Sequence, residues 1–88
     1  MSIKIEHHLN WETGQEYLKA TASLRDDEVT DVPVQKGLRD DMITALSDAA
    51  RDKDWSDAKR PVEFDQDVWR DSLTNQVKRI DVRATVTR

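Results

Sequence analysis

Residues 33–53, PVQKGLRDDMITALSDAARDK, decide how the rest of the chain is read. Val34, Leu38, Met42, Ala45, Leu46 and Ala49 recur at spacings of three and four. At 3.6 residues per turn they fall within a sector of about 120°, the width of a stripe that faces a core. Pro33 suits a first helical turn, where its missing N–H would have no partner. Lys53 suits the last turn, where carbonyls gather. The spacing predicts one long amphipathic helix. Gly37 weakens it by about 1 kcal/mol relative to alanine. Asp41, Asp48 and Asp52 fall within about 40° of one another on the helical wheel, beside the apolar stripe.

Upstream of the helix, Ile3, Ile5, His7, Leu9 and Trp11 alternate with polar residues. Period-two alternation predicts a half-buried strand over 2–11. Gly14 follows in a tight turn. Leu18, Ala20, Ala22 and Leu24 then alternate over 16–25, which predicts a second strand and a β-hairpin with the first. A helix over 13–25 is the rival, because leucine, lysine and alanine favour helices; alternation on both sides of the glycine favours the hairpin. Residues 25–28 read as a charged loop, and 29–32 as a short edge strand arriving extended at Pro33.

Downstream, 54–61 breaks the hydrophobic period and reads as a loop. The stretch from Asp65 to Gln76 fits two periods. As a helix it places Trp69, Leu73 and Gln76 on one face, with Asp65 as a cap and Asn75 as the stop. As a strand, Val62, Phe64, Gln66 and Val68 alternate, and 71–76 turn. The helical reading is preferred, over 66–74. Ile80, Val82, Ala84 and Val86 alternate with polar residues and predict a last strand over 78–87. The expected fold is α+β and a single domain over 1–88. An antiparallel sheet, made of the N-terminal hairpin and the C-terminal strand, carries one long and one short helix on one face, in the order β-β-α-α-β. The alternative order is β-β-α-β-β. No internal repeat is evident. Trp11 and Trp69 are expected on core faces.

Charge is unevenly placed. The net charge is −4. Residues 26–71 carry 14 acids against seven bases, whereas residues 72–88 carry only Asp81 against Lys78, Arg79, Arg83 and Arg88. An acidic middle repels nucleic acid and attracts basic partners, which argues against direct nucleic-acid binding. There is no apolar run long enough to span a membrane. The N-terminus lacks the apolar block of a secretory signal, and the chain has no cysteine, which excludes disulfides and fits a cytoplasmic setting.

Catalytic equipment is not legible. His7 and His8 are neighbours on a strand, so they point to opposite faces and cannot share one metal ion. With two glycines in the chain, no glycine-rich phosphate loop can be built. No cofactor and no metal site are expected, and no enzyme activity. The sequence points instead to a small acidic module that binds the basic surface of another protein. The expected partner-binding residues are Asp41, Asp48, Asp52, Asp54, Trp55 and Asp57. Trp55, set among charges, has the character of a binding hot spot; the other reading folds it back over the end of the helix. The sharpest form of the expectation is an inhibitor that occupies the nucleic-acid-binding surface of a partner. The alternative is an assembly subunit that self-associates, acidic middle against basic C-terminal strand.

Overall fold

A computed structural model describes residues 2–55 and 62–88. The chain runs β1 (Lys4–Leu9), β2 (Glu16–Arg25), a 3-10 turn (Asp26–Thr30), α1 (Val32–Asp52), β3 (Glu63–Arg70) and β4 (Val77–Thr87). The order is therefore β-β-α-β-β. The four strands form one antiparallel sheet in the order β1-β2-β4-β3.

The long helix forms where its period places it. Asp31 caps it by accepting a hydrogen bond from the Val34 N–H at 3.2 Å, and Pro33 lies in the first turn. Leu38, Met42 and Leu46 are buried on the sheet, against Leu18, Ala20, Ala22 and Leu24 of β2 and Val82, Ala84 and Val86 of β4. Each of the three helix side chains contributes about 2–3 kcal/mol by leaving water. The even-numbered positions of β2 and β4 face the helix because Leu18 lies opposite Val86, and Ala20 opposite Ala84. Small alanines at the centre let the helix approach closely. The odd-numbered positions form an open face that no layer of the described residues covers.

The expected helix over 66–74 is not there. Residues Glu63–Arg70 pair with β4, and 71–76 form the hairpin loop. The expected helical stop is a loop signal. Asn75 adopts φ 59°, but as the left-handed residue of a hairpin loop, not a helix terminus. The Asp71 carboxylate accepts from Leu73 N–H at 2.7 Å and Thr74 N–H at 3.2 Å, an Asx turn that competes with a helix. Leu73, placed on a helix face by that reading, is instead 93% exposed at the loop tip.

The two hairpin loops share a local pattern. The loop Asn10-Trp11-Glu12-Thr13-Gly14-Gln15 recurs as Asp71-Ser72-Leu73-Thr74-Asn75-Gln76, with matching bonds. Asn10 N–H donates to Gln15 O and Gly14 N–H to Asn10 O, both at 2.8 Å; Asp71 N–H donates to Gln76 O at 2.8 Å and Asn75 N–H to Asp71 O at 2.9 Å. Thr13 and Thr74 each accept from the following glutamine N–H. Gly14 and Asn75 both take positive φ, at 71° and 59°. The fold is thus two hairpins side by side with matching loops, the second with a register shift between Trp69 and Arg70. Their inner strands β2 and β4 run antiparallel, so the loops lie at opposite ends of the sheet.

Smaller departures follow from the same geometry. β1 ends at Leu9, so Trp11 sits in the loop at 88% exposure and not on a core face. Trp69 points to the open face, because its partner Arg79 does, and is 53% exposed. Residues 29–32 are not an edge strand: Val29 is buried in the 3-10 turn and Val32 opens the helix.

Candidate functional site

The expected docking residues separate into three groups. Asp41, Asp48 and Asp52 lie on one exposed flank of α1. Asp54 follows the helix end with φ 56° and is exposed. Trp55 is not at the surface. It is 5% exposed and belongs to the core. The left-handed turn at Asp54 sends the chain back, so that Trp55 N–H donates to Ala50 O at 3.1 Å and its ring meets His7 edge-on at 6.4 Å. The residue expected as a hot spot is the plug that closes the helix end over the sheet. Asp57 lies outside the described residues.

The flank is identified by its opposite side. Arg39 lies over the Phe64 ring at 5.7 Å, so the helix side with Arg39 and Ile43 faces β3. The aspartates are about 140–180° round the wheel from Arg39, toward β1. Among the described residues, the carboxylates of Asp41, Asp52 and Asp54 have no ion-pair partner. Asp48 meets Arg51 at 3.6 Å, with both side chains largely in solvent at 75% and 62% exposure. Such a pair contributes at most a few tenths of a kcal/mol.

The acids of the sheet are differently placed. On the open face Arg83 bridges Asp65 and Asp67, at 2.8 Å to each. Asp81 accepts from Ser23 Oγ at 2.7 Å, from Trp69 Nε1 at 3.0 Å and from Arg79 at 3.0 Å. The Arg79 guanidinium also stacks on the Trp69 ring at 4.9 Å. Glu6 meets Lys4 at 3.0 Å and His8 at 2.8 Å, and Arg88 meets Glu16 at 2.9 Å. Arg79, Arg83 and Arg88 are thus occupied by carboxylates of the sheet. A shallow depression of about 640 Å³ on this face is lined by Thr21, Ser23, Arg25, Arg79, Asp81 and Arg83. Most of its charge is already paired.

These bonds depress the acids that receive them. The Ser23 hydroxyl holds the Asp81 carboxyl below its ordinary value, with Trp69 and Arg79 adding to it. Arg83 does the same to Asp65, helped by the Gln66 N–H. The Leu73 and Thr74 N–H groups hold Asp71 down. A folded-state pKa below the unfolded one gives stability that is present above the unfolded pKa, near 3.8. That stability is lost as pH falls through the folded value. The thermal midpoint should therefore fall on acidification below about pH 4. Asp81→Asn should flatten that acid limb, which a melting series from pH 6 to pH 2 would show.

His7 and His8 point to opposite faces, as alternation requires. His7 lies 3.9 Å from Glu16 with a side chain 39% exposed, more open than its place among apolar neighbours suggested. His8 stacks on Tyr17 with centroids 5.1 Å apart. Among the described residues, no three histidine, cysteine or acidic side chains are grouped as a metal site would need. No described helix is long and apolar enough to cross a membrane. Comparison with known protein families, with curated proteins and with solved structures finds no match to this chain.

Proposed function

We propose that the chain is a non-enzymatic protein-binding module that docks the basic surface of another protein through the acidic flank of α1. The observation that carries this reading is a segregation of charge. Five of the sheet's acids, Glu6, Glu16, Asp65, Asp67 and Asp81, are tied to the sheet's own arginines, lysine and histidine and to Arg88, whereas Asp41, Asp52 and Asp54 are exposed and unpaired among the described residues. Rigid, spaced carboxylates on a helix present charge-assisted acceptors at low entropic cost. Their spacing suits lysines and arginines that otherwise hold phosphates, so a nucleic-acid-handling protein is the sharpest form of the partner. Trp55 supports the site from beneath by closing the helix end, and does not itself touch the partner.

The competing reading is an assembly subunit that self-associates. Three of its four basic residues, Arg79, Arg83 and Arg88, are engaged within the chain, which weighs against it. Size-exclusion chromatography at low and high salt separates the two. A docking module elutes as a monomer at all concentrations and retains a foreign basic protein that salt releases. Growth in size with concentration at low salt would favour the subunit instead.

A further inference from the structure

On the other side of the helix, β3 is an edge strand with every residue from Glu63 to Arg70 exposed. The helix covers β2 and reaches β4 and β1, but stops short of β3. On the helix-facing side Phe64 and Val68 are 37% and 42% exposed, with the Arg39 guanidinium of α1 over the Phe64 ring at 5.7 Å. The two form an apolar row along a strand edge that pairs with no further strand among the described residues. Isolated apolar residues at a surface need no explanation; a contiguous row beside a free edge is a place where another strand can be added.

The other side of the same strand says what kind of strand would fit. Glu63, Asp65 and Asp67 occupy its alternate positions on the open face. The single guanidinium of Arg83 serves two of these carboxylates, which remain 76% and 54% exposed. β3 therefore alternates acid with apolar, and a complementary strand alternates base with apolar. A second β3 would set Asp65 and Asp67 against their own counterparts, which like-charge repulsion across an antiparallel pair disfavours. We infer that β3 receives an extended basic segment of another protein as a fifth strand, its apolar side chains beside Phe64 and Val68, and its lysines or arginines over Glu63, Asp65 and Asp67. This site shares with the docking flank only the basic character of the partner. It lies across the helix, so either can fail alone.

The probe is a short synthetic peptide alternating lysine with valine and threonine, mapped by amide chemical shifts. It is compared with two backbone-methylated versions, each carrying N-methyl groups on one alternate set of amides. Methylation removes donors but keeps every side chain. The expected result is binding of the parent peptide with shifts along β3 and β4. One methylated version should lose at least about tenfold in affinity and the other little, because only one set of amides faces β3. Val68→Lys, on an exposed position, should also weaken binding by at least about tenfold while the circular dichroism spectrum stays native. No binding of the parent peptide, equal binding of both methylated versions, or shifts confined to the Asp41–Asp52 flank would each overturn strand addition. The last would leave the docking flank standing. A dimer joined through β3 in sedimentation runs would overturn the assignment of a foreign segment.

Discussion

Leu46→Asp is expected to abolish the cooperative thermal transition. Leu46 is 1% exposed in the middle of the helix–sheet interface, with Leu38 and Met42 on the turns before it. Its replacement removes about 2–3 kcal/mol of apolar burial. It also places a carboxylate where no cation waits, since the core of the described residues contains no buried polar or charged side chain. Such a group either stays protonated or drags water into the core, at a cost of several kcal/mol more. A domain of this size is stable by roughly 5–10 kcal/mol in total. Loss of the melting transition, with the far-ultraviolet spectrum largely unfolded at room temperature, is the expected result. A native-like melt would show that α1 does not face the sheet through Leu46.

Trp55→Ala carries the second largest effect, and it separates two roles that look alike in the sequence. A buried tryptophan cut back to alanine leaves a cavity worth about 3–5 kcal/mol. In a domain of this length that lowers Tm by about 15 °C or more. Trp11→Ala, at 88% exposure in the first hairpin loop, should change stability by less than about 0.5 kcal/mol. Differential scanning calorimetry on the two variants decides the matter. If Trp55→Ala melted with the parent protein while losing a partner, Trp55 would be a contact residue and not the plug of the helix end.

The contrast between these tryptophans marks where the sequence could be read and where it could not. The central helix was legible because six apolar positions keep one period over about four turns, and no strand can satisfy that. β1, β2 and β4 were legible because alternation places their apolar side chains on one face. Asp65 to Gln76 was not, because a short segment with Trp69, Leu73 and Gln76 at helical spacing also holds Phe64, Gln66 and Val68 at strand spacing. The deciding signal was present but lay between segments. Asn10 to Gln15 and Asp71 to Gln76 share an Asx, a threonine, a residue tolerant of positive φ and a glutamine in the same places. Once the first is taken as a hairpin loop, so must be the second.

Of the candidate site, the flank of Asp41, Asp48 and Asp52 was legible, since it follows from helical phase alone. The burial of Trp55 was legible only as one of two readings, because nothing periodic in a charged loop tells whether a ring turns inward; the one that folds it back over the helix end is what occurs. The left-handed backbone at Asp54 turns it inward. Nor could sequence alone tell which acids pair internally. Asp65, Asp67 and Asp81 look no different from the helix aspartates until β3 and β4 are set side by side.

The most direct test of the docking flank is a protein in which Asp41, Asp48 and Asp52 are all changed to lysine, compared with the parent chain for both stability and retention of a basic partner from lysate. All three side chains are exposed and outside the core, and only Asp48 has an ion-pair partner, so Tm should move by no more than a few degrees. Retention should be lost at every salt concentration. A variant that stays folded and still holds the same partner would contradict the account.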